Sequence, residues 1–152
     1  MTPPLTGACQ CRALRYRIDA EPMTVYACHC TECQRQSGSA FGISMVVPRD
    51  KLTFVQGTPK QWERTADSGR KIMCLFCPDC GSRIAHLPEH SPKAAIIRAG
   101  TLDDTKGVFV VGHVWTRSAQ PWTKISGSDV SYPMQAPDMT KLIEAYAAHT
   151  AP

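Results

Sequence analysis

Cys28, Cys30 and Cys33 place three thiols within six residues, and Ser37-Gly38-Ser39-Ala40-Phe41 follows almost at once. Thiolates are soft donors and suit Zn²⁺, which takes a tetrahedron of sulfur and nitrogen ligands. Three sulfurs are one short of a closed structural site. The fourth position is therefore either supplied from elsewhere in the chain or kept for a water or a substrate, as in catalytic zinc sites. Two further pairs, Cys9-Gln10-Cys11 and Cys77-Pro78-Asp79-Cys80, are separated by sixty-five residues. A C-x₂-C pair on a turn shaped by Pro78 and Gly81 is a good half-site for tetrahedral zinc. The C-x-C pair is tighter, but two sulfurs bracketing one residue can both reach a metal. Joined, the pairs would make a four-sulfur site that closes a long loop.

Three arrangements compete with an open three-sulfur site at Cys28, Cys30 and Cys33. His29 could be a fourth ligand, although a tight turn or strand alternation would aim it away from its neighbours. Cys74 could add a fourth sulfur and make a second structural site. Cys30 and Cys33 could be a redox C-x-x-C pair, for which the chain offers no βαβ setting. Cys74-Leu75-Phe76-Cys77 repeats the C-x-x-C spacing. Pro78 and Gly81 nevertheless favour Cys77 with Cys80, which leaves Cys74 as a buried thiol behaving like a small apolar side chain.

The elements that must position these groups are short strands. Leu14, Tyr16 and Ile18 alternate with Arg15 and Arg17, the period of a half-buried strand, and the Cys9-Cys11 pair lies at its entrance. Met23 to Ala27 reads as a strand running into Cys28, and Thr31 to Gln36 as one or two helical turns stopped at Ser37-Gly38. Phe41 to Val47 is a strongly apolar strand ended by Pro48. Further strands are expected at Leu52 to Val55, around Trp62, and at Ile72 to Phe76, Ile84 to Leu87, Ala94 to Ala99 and Val108 to Trp115. The regular turn spacing predicts a mainly β fold, a sandwich or open barrel. One helix stands apart, from about Pro137 to His149, with Met139, Leu142, Ile143 and Tyr146 on a single stripe expected to pack against the sheet.

The 152 residues, 43% hydrophobic and 20% charged, are ordinary for one globular domain. Met1-Thr2-Pro3-Pro4-Leu5-Thr6 lacks the basic and apolar regions of a signal peptide, and no stretch has the roughly 18 apolar residues of a membrane span. Eight cysteines without an export signal point to a reducing, cytoplasmic setting in which thiol clusters bind metal or do chemistry. The seventeen Lys and Arg are dispersed, which argues against a nucleic-acid tail. The formal charge of +4 would fall to about +1 with zinc on both cysteine groups. Nothing here sets the oligomeric state.

The clusters in their order resemble the glutathione-dependent formaldehyde-activating (GFA) family, whose domain is also found in centromere protein V. The pieces that carry the resemblance begin with Gly7-Ala8-Cys9-Gln10-Cys11, Cys28-His29-Cys30-Thr31-Glu32-Cys33 and Ser37-Gly38-Ser39-Ala40-Phe41. Phe76-Cys77-Pro78-Asp79-Cys80-Gly81-Ser82, Ala99-Gly100-Thr101-Leu102-Asp103-Asp104, His113-Val114-Trp115 and Pro121-Trp122 complete them, so the match runs from about Gly7 to Trp122. The resemblance implies a β-tent zinc-binding fold of short antiparallel strands. It implies a structural zinc on Cys9, Cys11, Cys77 and Cys80, and a second, more labile zinc on Cys28, Cys30 and Cys33 as the catalytic group. It further implies a carbon–sulfur lyase that joins a thiol (glutathione) and an aldehyde (formaldehyde) as S-hydroxymethylglutathione. Ser37, Ser39 and His29 are candidate proton carriers beside the cysteines. Two rival functions are a zinc-stabilised binding module and a redox or metal sensor.

Overall fold

Period-2 patterning sets the short strands that make up most of the regular structure, and a computed structural model describes residues 1–151. The chain runs through β1 (Leu5–Ala8), β2 (Arg15–Ile18) and β3 (Thr24–Cys28) into the short helix α1 (Thr31–Ser37). Then follow β4 (Gly42–Pro48), β5 (Leu52–Gln56), β6 (Lys60–Thr65), β7 (Lys71–Phe76), β8 (Arg83–Pro88) and β9 (Ala94–Arg98). Two three-residue strands, β10 (Gly112–Val114) and β11 (Val130–Tyr132), precede the closing helix α2 (Thr140–Thr150). Among the described residues no helix is long and apolar enough to cross a membrane. The chain forms two compact units, one of Met1–Pro22 with Val46–Gly107, the other of Met23–Met45 with the chain from Val108 onward.

In the first unit β1, β2 and β5 form an antiparallel sheet in that order. Tyr16 and Ile18 are fully buried and Leu14 is 1% exposed, while Arg17 faces solvent, as the alternation requires. The buried Tyr16 hydroxyl bonds Thr101 Oγ1 at 2.8 Å. Asp103 accepts from Thr6 Oγ1 at 2.7 Å and from Arg15 Nη2 at 2.8 Å, which fixes the loop after β9 to this sheet. Gly7 stands directly opposite Tyr16, and an added Cβ would overlap the Tyr16 ring and come within 2.5 Å of the Thr101 carbonyl oxygen. Gly7→Ala is therefore expected to destabilise the protein by roughly 1–3 kcal/mol or more, as overpacking does. An unchanged urea midpoint would show that this contact relaxes freely. The remaining strands of the unit run antiparallel in the order β9-β8-β7-β6.

In the second unit the strand order is β11-β10-β3-β4. The mainly β fold is as expected and its described pairings are antiparallel, with the exception that β10 pairs parallel with both β3 and β11. Parallel neighbours need a crossover of a dozen or more residues. The fifteen residues Trp115 to Asp129 supply it between β10 and β11. The strand expected from Val108 to Trp115 shrinks to Gly112–Val114, and at its C-terminal end Trp115 takes a left-handed φ of 60° that stops the extended run. Helix α2 begins three residues later than Pro137, where Asp138 Oδ1 accepts the Thr140 N–H at 2.8 Å. Its stripe is buried as expected at Leu142 and Tyr146, and Thr24 of β3 donates its hydroxyl to the Leu142 carbonyl at 2.8 Å.

Candidate metal centres

Cys9 and Cys11 lie on the turn between β1 and β2, which closes with Arg12 N–H donating to the Cys9 carbonyl at 3.0 Å. Cys77 and Cys80 lie on the turn between β7 and β8, where Gly81 N–H returns to the Cys77 carbonyl at 3.0 Å and Gly81 takes φ 73°. That positive φ is why a glycine stands there. The two turns meet through Ser82, whose Oγ accepts the Gln10 N–H at 3.1 Å. All four sulfurs fall within 4.8 Å of one another. Cys9 and Cys11 Sγ are 3.4 Å apart, and Cys11 and Cys77 Sγ 3.8 Å. Zn–S bonds of about 2.3 Å at tetrahedral angles give an S···S edge of about 3.8 Å, so the donor set fits that ion by type, number and spacing.

Electrostatics points the same way. The Ser82 hydroxyl, 3.2 Å from Cys80 Sγ, together with the Ser82 and Cys11 backbone N–H groups, holds the Cys80 thiol down at about 5. Burial pushes the Cys9 thiol up, but the Leu14 N–H donating to its sulfur at 3.3 Å and the Cys11 and Cys77 thiols outweigh it, and the net direction is down. At Cys11 the Ala13 N–H favours the thiolate, yet the neighbouring Cys9 and Cys80 sulfurs push the group up to about 12. Four sulfurs in contact cannot all ionise without a cation among them, and a divalent metal removes that conflict.

The second group is built on one β-to-α corner. Cys28 ends β3, Cys30 is the N-cap of α1 and accepts the Cys33 N–H at 3.3 Å, and Cys33 lies in the first turn. Cys28 and Cys33 are buried at 8% and 6% exposure, and Cys30 is half-buried. Their three sulfurs also lie within 4.8 Å of one another. The adjacent Cys30 and Cys33 thiols, and then burial, drive the Cys28 thiol strongly upward, the same conflict that a cation relieves. Gln34 braces the corner: its Nε2 donates to the His29 and Ser118 carbonyls, both at 2.8 Å, and its Oε1 accepts from Gln120 at 3.0 Å.

The alternatives for a fourth donor fare differently from these three. His29 is fully buried and outside the sulfur group. Its Nε2 lies 2.9 Å from His113 Nδ1, the two rings stack at 5.1 Å, and Phe41 packs on it at 5.2 Å. His113 Nε2 is in turn 3.4 Å from Asp129 Oδ2. If His113 donates to that carboxylate, its Nδ1 accepts and His29 donates, an assignment that follows from the partners. Cys74 is fully buried on β7 and belongs to neither group. Ser37 donates to the Cys33 carbonyl at 2.8 Å and the Phe41 carbonyl at 3.2 Å, which makes it a brace for the end of α1. Gln34, His113 and Asp129 carry roles that spacing did not reveal, because the partners that define them (Ser118 and Gln120 for Gln34, His29 and Asp129 for His113) lie 16 to 86 residues away in the chain.

The sequence model of the glutathione-dependent formaldehyde-activating enzyme family matches residues 4–118. A Talaromyces marneffei protein provisionally named as such an enzyme is 28% identical over 101 residues, covering 65% of this chain and 53% of its own length. A Penicillium rubens protein provisionally given the same name is 32% identical over 75 residues, covering 48% of this chain and 38% of its own. The chain thus spans about half or less of the length of these curated relatives. The crystal structure of a Rhodobacter sphaeroides protein, a structural-genomics target, superposes with a TM-score of 0.53 at 18% identity, over 84% of this chain and 98% of that one. That likeness concerns the fold. With the family's sequence pattern running through both cysteine groups and the strands that carry them, the chain belongs to the glutathione-dependent formaldehyde-activating family.

Proposed function

We propose that this protein is a zinc-dependent carbon–sulfur lyase that joins a thiol, glutathione or a relative of it, to formaldehyde or a similar small aldehyde. In that reaction the thiol sulfur bonds to the carbonyl carbon and the thiol proton ends on the former carbonyl oxygen; the reverse releases aldehyde and thiol. The observation that carries the reading is the difference between the two cysteine groups, four mutually adjacent sulfurs in one and three in the other. Cys9, Cys11, Cys77 and Cys80 would hold a structural zinc, and Cys28, Cys30 and Cys33 a catalytic one. A zinc ion with three protein ligands supplies a position at which a thiol is held deprotonated near neutral pH.

The chain's own residues do the rest. Cys30 and Cys33 are tied to each other through the α1 cap, and Gln34 locks the corner to the Ser118 carbonyl. The three sulfurs are therefore set before any ligand arrives, which lowers the ordering cost of binding. Between Cys28 and Cys30, His29 turns into the interior, where it is fully buried and its ring meets Phe41 at 5.2 Å. Exchange NMR of formaldehyde with glutathione, using protein loaded to two zincs per chain, tests the proposal. Exchange well above the buffer rate is expected. Exchange at the buffer rate with both thiol groups loaded would reject glutathione as the thiol.

A further inference from the structure

Strands β6 to β9 carry a second concentration of chemistry that neither cysteine group uses. Trp62, Cys74, His86 and Ile96 stand directly opposite one another across the four strands, so they share one face of the sheet. Arg64 lies two residues along β6 from Trp62, and Arg98 two residues along β9 from Ile96, which puts both on that face. The register shift between Leu75 and Phe76 brings Arg83 to it as well. The Arg83 guanidinium carbon is 5.8 Å from the centroids of both the Trp62 and Phe76 rings, and its Nη1 is 3.2 Å from His86 Nε2.

Glu63 is the one acidic residue in these four strands. Alternation places it on the opposite face, where its carboxylate holds Lys71 at 3.1 Å. The Arg64 and Arg83 guanidiniums therefore share with Trp62 a face to which its own strands contribute no carboxylate. Exposure falls steadily across it: Trp62 is 52% exposed, Arg64 and Arg83 are half-buried, and Arg98 and His86 are 7% and 6% exposed. Burial works most against the Arg83 cation, the Cys74 thiol beside it offsets part of this, and the like charges of Arg98 and Arg64 add to the penalty, so that the net direction is down. A half-buried cation among other cations costs free energy that an anion recovers.

We propose that this face of β6–β9 binds an oxyanion-bearing small molecule, its carboxylate or phosphate seated at Arg83 with Arg64 beside it and its remainder lying against Trp62 and Phe76. A guanidinium presents parallel N–H donors that match either oxyanion, and an aromatic wall beside it takes a planar or apolar portion. The site is independent of the lyase reading, since none of its residues belongs to a cysteine group.

Zinc-loaded protein is titrated with inorganic phosphate and, separately, with succinate. Calorimetry gives the affinity, and the indole fluorescence lost in Trp62→Phe locates the binding. Saturable binding of at least one probe is expected, with a Trp62-dependent signal. Arg83→Met and Arg64→Met should each weaken it about tenfold or more, the loss of one charge-assisted oxyanion contact. Arg64 lies on an outer strand, so Arg64→Met should keep its zinc content and thermal transition even if Arg83→Met does not. Tighter phosphate binding assigns the site to phosphoryl ligands, and tighter succinate binding to carboxylates. No saturable binding of either probe, or affinity in a folded Arg64→Met protein equal to that of the parent, would overturn the proposal.

Discussion

Cys11→Ser is expected to abolish the cooperative thermal transition and to release zinc from the four-sulfur group. Cys11 is the exposed member of that group, so its side chain contributes little by burial. Its role lies in its position, 3.4 Å from Cys9 Sγ and 3.8 Å from Cys77 Sγ, where it joins the β1–β2 turn to the β7–β8 turn. Structural zinc contributes about 10–16 kcal/mol to folding in small finger peptides, whereas whole domains are stable by only about 5–15 kcal/mol. Even a partial loss of that contribution is comparable to the total. The Gln10 N–H on the Ser82 hydroxyl and the Cys11 N–H on the Cys80 sulfur also join these two turns, and a metal held by the four sulfurs would be the strongest tie between them. Far-UV circular dichroism melts with zinc counted per chain are the check. A cooperative melt near the parent's temperature, with that zinc gone, would show that packing alone holds the turns together.

Cys30→Ser should behave in the opposite way. Cys30 caps α1 by accepting the Cys33 N–H, and serine is among the best residues for that position. The helix start, and with it the Gln34 brace, is therefore retained. What serine does not supply is a soft, readily ionised sulfur, so the group falls from three such donors to two. The expected result is a melt close to the parent's, one zinc fewer per chain, and aldehyde–thiol exchange reduced to the buffer rate. Together the two variants test the division of labour between the groups. Equal loss of structure in both would sink it, as would full exchange activity in Cys30→Ser with one zinc absent.

Much of this was legible along the chain because the informative spacings are short. The Leu14, Tyr16, Ile18 alternation needs only a strand's two-residue period to say which side is buried, and Tyr16 and Ile18 are fully buried. The stop at Ser37-Gly38 was readable because a left-handed φ favours glycine, and Gly38 takes φ 60° at the end of α1. Boundaries were less legible where a side chain competes with the backbone. Pro137 suits a first helical turn, but α2 starts at Thr140 with Met139 as its N-cap, and Asp138 Oδ1 accepts the Thr140 N–H just outside the helix. β1 and β11, four and three residues long, are too short to show a period of their own.

By itself, the sequence determined that three cysteine groups exist and which local turns carry them, and it favoured Cys77 over Cys74 as the partner of Cys80, a choice the structure settled. Covalent spacing of one to three residues limits where a thiol can be, and Pro and Gly limit the turn it sits on. Only the tertiary structure decided what meets across long separations. It brought Cys11 to Cys77, set His29 against His113 and His113 against Asp129, laid β10 parallel to β3, and gathered Arg64, Arg83 and Arg98 on one face. Those meetings depend on strand register and on crossover connections. A shift of one residue in register reverses every side chain on a strand, and no local pattern records it.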